Sequence, residues 1–186
     1  MAAPMIIRLW VLAVVAVILQ LAAVSQITLL GVSADVVPLI VMSVGLLTGS
    51  IPGACMGFGM GLFLDLALVQ TLGVDSLVLV FVGYFAGRFR ELRDPSHGLI
   101  PAAAGAAATG LYLVGFSIIQ FLLGVDAPVS FLLVRQILAT VIVNTVIALP
   151  VYSIVRRVLA PYLPDDPRRR RRRAYTTGGL SPITRS

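Results

Sequence analysis

From Leu9 to Leu30, and again from Val36 to Leu64, the chain carries no charged side chain. A helix needs about 20 predominantly apolar residues to cross the hydrocarbon of a bilayer, so such stretches require either lipid outside them or a very large core around them. Composition decides between the two. Hydrophobic residues make up 59% of the 186 and charged residues only 12%, about half the share of a soluble domain. That leaves too little polar material to cover a water-facing surface. The chain is therefore read as all-α, a polytopic transmembrane helical bundle.

Six apolar segments are available, at 7–30, 36–50, 53–70, 74–89, 99–123 and 128–155. The first is too long, and lacks the small-residue cleavage pattern, for a removable signal peptide. Between the second and third, only Ser50, Ile51, Pro52 and Gly53 mark a turn. Basic residues set the orientation, because arginines near membrane segments favour the cytoplasmic side. Arg8, the group Arg88, Arg90 and Arg93, and the pair Arg156 and Arg157 form three such clusters. An even number of crossings must separate each from the next. Four between the first two and two between the last two make six, with the N-terminus and C-terminus both cytoplasmic. Asp35, Asp75 and Asp126 then fall in the opposite connections.

The organisation changes near residue 158. Residues 1–158 form the expected transmembrane domain, and 159–186 a basic cytoplasmic tail. Pro164, Asp165, Asp166 and Pro167 interrupt the helix, and Arg168 to Arg173 follow as an unbroken run. With almost no apolar face to bury, this tail is expected to stay disordered. It serves as an orientation anchor, or adsorbs to anionic lipid at about 1 kcal/mol per arginine near the surface. All fourteen basic residues are arginine, and the net charge of +6 is largely a property of this tail. It therefore gives no reason to expect specific nucleic-acid binding.

Inside the apolar part, Gly45, Gly49, Gly53, Gly57 and Gly61 recur every four residues, and Gly83 and Gly87 repeat the spacing. Small residues so placed let helix backbones approach, and van der Waals contact then drives association in lipid. Ala102, Ala106 and Gly110 offer another small face. Asp65 is the most informative polar residue, since a carboxylate within an apolar helix must face protein or water, find a donor, or become protonated. Arg135 is its candidate partner. Counted from the outer ends of their helices at about 1.5 Å per residue, the two lie about 8 Å and about 10 Å deep. Such a pair is either a structural bridge or part of a partner-binding surface.

Gln20, Gln26, Gln120, Gln136 and Asn144 are candidates for an interhelical amide network. Trp10 and Tyr152 suit interfacial anchoring. Cys55 is the single cysteine and is read as space-filling. His97 is the single histidine, so a multi-histidine metal site is absent and no catalytic constellation can be assembled. No phosphate-binding glycine loop is present either. A non-enzyme without cofactor or metal is expected.

The segment Gly53-Ala54-Cys55-Met56-Gly57-Phe58-Gly59-Met60-Gly61-Leu62-Phe63-Leu64-Asp65-Leu66, with Leu72-Gly73 and Gly83-Tyr84-Phe85-Ala86-Gly87-Arg88 after it, resembles the family of the bacterial rod shape-determining protein MreD. The resemblance is concentrated in residues 53–93 and extends in general organisation to about residue 158. It implies a non-enzymatic inner (plasma) membrane component of the cell-elongation machinery. Its partners would be an MreC-like membrane-anchored shape protein, an MreB-like filament and cell-wall synthases. The family's glycines fall on Gly57 and Gly61, and its membrane aspartate on Asp65. The arginine-rich tail departs from the family's compact core. The organisation also looks like the substrate-binding membrane subunits of energy-coupling vitamin transporters, which would require a ligand pocket open to the outside.

Overall fold

The structure, a computed structural model, describes residues 7, 9–11, 13–18, 20, 35–69, 71–92, 99–124 and 131–162. Arg8, Gln26, Arg93, His97, Asp126 and the tail with its arginine run lie outside the described residues.

Helices α1 (Leu9–Ile18), α2 (Val36–Thr48), α3 (Ser50–Ala67), α4 (Val74–Leu92), α5 (Ile100–Leu122) and α6 (Phe131–Leu159) fall on the six apolar segments. Three of them, α3, α5 and α6, are long and apolar enough to cross a membrane by length and composition. Helix α4 runs past residue 89 to Leu92, and α6 runs past 155 to end in a 3-10 turn at Ala160–Tyr162.

The break between α2 and α3 comes earlier than Ser50–Gly53, at Gly49 alone. Its φ of 109° and ψ of −179° are open only to glycine without strain. Pro52 does not make the turn. It sits in the first turn of α3, where a missing N–H has no intrahelical partner to lose. One residue therefore reverses the chain and brings α2 and α3 side by side.

Helix α2 is the axis of the bundle. Val37 through Leu47 are all buried, and α3, α4, α5 and α6 all pack against it. At about 1.5 Å per residue its thirteen residues span about 20 Å, short of the hydrocarbon's roughly 30 Å. Its neighbours are protein helices, so it need not match the thickness of the hydrocarbon by itself. Helices α5 and α6 pair with each other on the outside. Many of their large side chains, among them Ile118, Leu132, Leu138 and Ile142, are exposed.

Candidate functional site

Among the described residues the closest packing runs along α3 and α4, where glycines remove the side chains that would hold two antiparallel backbones apart. A Cβ added to Gly53 would lie 2.5 Å from the Gly83 carbonyl oxygen and 2.8 Å from the Gly45 Cα. Gly57 abuts the backbone of Leu79, Gly61 that of Ser76, and Gly87 that of Gly49 and Ser50. Gly45 joins the same seam from α2, its missing Cβ 2.6 Å from the Gly83 carbonyl oxygen. The four-residue spacing is thus divided between two helices, and Gly49 folds its two halves against one another.

Each end of the seam is closed by a carboxylate from one helix on the N-terminus of the other. At the end of α3, Asp65 is fully buried. Its Oδ2 accepts from the Gly73 amide at 2.8 Å and the Ser76 hydroxyl at 3.1 Å, and its Oδ1 accepts from the Asp75 amide at 3.1 Å. The Gly73 and Asp75 amides lie at the start of α4, where backbone N–H groups have no acceptor within the helix and present a partial positive charge. At the opposite end, Glu91 of α4 accepts from the Ser50 amide at 3.0 Å and the Ser50 hydroxyl at 2.6 Å. Its second oxygen pairs with Arg88 at 3.0 Å. Helices α3 and α4 therefore cap each other reciprocally.

Arg135 is not the partner of Asp65. It lies exposed on α6, whereas α3 packs chiefly against α4 and α2. Similar depth brought the two residues to comparable levels without bringing them to the same face. Arg88 and Glu91, by contrast, do form an ion pair.

A second set of polar contacts ties the remaining helices to this unit. Gln20, two residues beyond α1, donates to Asp35 Oδ1 at 2.9 Å and accepts from the Val36 amide at 2.8 Å. Asn144 of α6 is fully buried and donates to the Asp35 carbonyl at 2.9 Å and to Thr109 Oγ1 of α5 at 3.1 Å. Tyr112 donates its hydroxyl to Asp75 at 2.9 Å. An interhelical network is present, but its membership is not the expected set. Gln20 and Asn144 belong to it. Gln136 is exposed, and Gln120 is buried with its Oε1 unpartnered, as is the Asn144 Oδ1.

Trp10, in the first turn of α1, is half exposed, its ring lying 3.0 Å from where a Gly59 Cβ would stand in mid-α3. Gly110, on the face expected to be tightly packed, has open space at its Cβ position, while Gly105 of the same helix abuts Ala148. Cys55 is exposed rather than filling the core. Sequence reasoning missed Glu91, Ser50 and Tyr112. The available signal was a carboxylate beside each end of the glycine pattern, which is what reciprocal capping requires.

Among the described residues no group of three or more His, Cys, Asp or Glu could hold a metal ion. The contacts described above make a packing and capping arrangement, joining the helices through backbone contact and hydrogen bonds. No curated protein and no solved structure matches the chain. The family model described as rod shape-determining protein MreD matches residues 4–159, which include all six helices and every contact of the seam. The chain belongs to the MreD family, and is a non-enzymatic membrane component of the cell-shape machinery.

Proposed function

We propose that the α3–α4 seam is a rigid frame on which this protein holds elongation-machinery partners in fixed positions within the bacterial inner or plasma membrane. The observation that carries this reading is the reciprocal capping of a backbone-to-backbone helix pair. Such a unit cannot slide or open without uncovering Asp65 or the first-turn amides of α4 in an apolar setting. It leaves large apolar side chains facing outward, among them Phe58, Phe63, Phe81 and Phe85. Those faces would receive an MreC-like membrane-anchored shape protein, with an MreB-like filament and cell-wall synthases recruited to the same assembly.

Six crossings with both ends cytoplasmic fit the arrangement. Gln20 meets Asp35 near the end where Asp65 caps α4, while Gly49 and Ser50 meet Glu91 at the other. The basic groups at Arg88 to Arg90 and at Arg156 and Arg157 would then share the cytoplasmic face. Reporters fused at residues 93 and 175 are expected in the cytoplasm and one at residue 126 outside. An external reporter at 93 would overturn the topology.

The glycines Gly53, Gly57, Gly61, Gly83 and Gly87 act in this proposal as packing elements, and Asp65 as the cap that aligns them. Arg135, exposed on α6, is a candidate contact to a partner. The arginine-rich tail would add adsorption to anionic lipid. The vitamin-transporter alternative draws no support from the family assignment. Affinity purification in native membrane nanodiscs, followed by mass spectrometry, tests the reading. Recovery of an MreC-like protein and cell-wall synthases is expected. Recovery of an ATP-hydrolysing coupling module with a bound vitamin would refute it.

A further inference from the structure

Helix α5 is held differently along its two halves. From Thr109 onward it is keyed to its neighbours. Thr109 Oγ1 accepts from Asn144 of α6 at 3.1 Å, the Tyr112 hydroxyl donates to Asp75 of α4 at 2.9 Å, and the missing Cβ of Gly115 lies 3.1 Å from a Val78 methyl. Before Thr109 the helix is smooth, with nothing larger than a methyl from Ala102 to Ala108. Such a surface has no side-chain ridge to lock into a neighbour's groove, so packing does not fix it in one place.

On this smooth half a cleft of about 310 Å³ separates α5 from α4. Phe85 and Phe89 of α4 make one wall, Ala103 and Ala107 of α5 the other, and Met42 and Leu46 of α2 the floor. Every lining side chain is apolar, so closing the cleft would strand no polar group. The smooth half rests instead on α6, with Gly105 against Ala148, and on α2, where Leu39 Cδ2 and Met42 Cε lie 3.4 and 3.7 Å from the missing Gly105 Cβ. Those two atoms end flexible side chains, which can follow a moving helix. Nine steps from Thr109 back to Ile100 make a lever of about 14 Å. A tilt of about 10° carries its free end about 2 Å, the scale of helix shifts in switching proteins.

We infer that the first half of α5 is a pivoting arm, which swings about Thr109 and Tyr112 to close the cleft against Phe85 and Phe89. The α3–α4 seam has no such freedom, so the motion is confined to one face of the bundle. Closure covers Phe85 and Phe89, and the arm thereby sets how much of the aromatic face of α4 is presented. The motion does not depend on which partner uses that face.

The test uses the full chain carrying Cys55→Ser in nanodiscs, with one of two cysteine pairs bridged by rigid phenylene dimaleimides of short (ortho) or long (para) span. Phe89→Cys with Ala103→Cys spans the cleft, and Leu77→Cys with Ile118→Cys spans the keyed half. The cleft pair should be bridged by both reagents and the keyed pair by one only. Ala107→Leu props the cleft and should cut short-reagent bridging of the cleft pair at least about tenfold, as loss of a minor closed state does, while leaving the keyed pair unchanged. Phe85→Trp props it from the opposite wall should the leucine impair folding, which thermal melting reports. Tyr112→Phe should open the keyed pair to both reagents. A cleft pair confined to one reagent, short-reagent bridging that survives both props, or a keyed pair unaffected by Tyr112→Phe would each overturn the assignment.

Discussion

The two helix pairs of the bundle are joined by different physics. Along α3 and α4 the contact is backbone on backbone, with glycine opposite carbonyl or Cα at successive turns. Between α5 and α6 it is made through side chains, with Gly105 against Ala148 and Asn144 bonded to Thr109. The first arrangement has no slack, because a peptide group cannot rotate aside as a side chain can. The second can repack. Both pairs contain small residues at four-residue spacing, so spacing alone does not distinguish a seam from an open face.

Substituting glycines in the two pairs tests this difference most severely. Gly57→Leu or Gly61→Leu should cost at least about 3 kcal/mol, the upper end of ordinary overpacking, because the obstructing atoms are backbone. Gly110→Ala, with open space at its Cβ position, should be neutral or stabilise by up to about 1 kcal/mol through helix propensity. Thermal melting of purified protein in nanodiscs reads both. Equal losses in the two pairs would remove the distinction.

The caps come next in size. Asp65→Asn places an amide donor among three donors and should cost about 1–3 kcal/mol. Arg135→Gln should stay within about 0.5 kcal/mol, as surface substitutions do. The double variant should then match Asp65→Asn alone. A coupling energy beyond about 0.5 kcal/mol in that double-mutant cycle would reinstate an interaction between the two residues.

At the other end of the seam, Glu91→Ala removes a cap in a more exposed setting. A loss smaller than that of Asp65→Asn is expected, since solvent can replace the lost acceptor. Hydrogen exchange should rise at the first turn of α3 and not in its middle. Uniform exchange along α3 would mean that the cap holds the whole pair together rather than its end.

Among the polar contacts of the bundle, Tyr112→Phe should have the smallest effect. Removing its bond to Asp75 should cost about 0.6 kcal/mol, the average for interhelical hydrogen bonds in a membrane protein. A loss as large as that of Asp65→Asn would show that α5 is locked to the seam as firmly as α3 and α4 are to each other.

The six apolar segments were legible as helices because a long uncharged run must satisfy its backbone hydrogen bonds within itself, although only α3, α5 and α6 are long and apolar enough to cross a membrane. The glycine spacing was legible for a related reason, since a four-residue repeat aligns small positions on any helix. Which helix those positions face is a property of two segments at once. Gly110 and Gly57 look alike in sequence and differ only in what stands opposite. The same limit produced the Asp65–Arg135 expectation, in which depth was counted along each helix but rotation about its axis was left free. Sequence by itself determined a membrane bundle of helices with a closely packed glycine-rich part and a family resemblance centred there. The tertiary structure decided that Gly49 alone makes the turn, that Asp65 and Glu91 cap opposite ends of one helix pair, and that Arg135 stands apart. Each of those depends on the relative rotation and register of helices, which are set by the total fit of their surfaces rather than by any one stretch of chain.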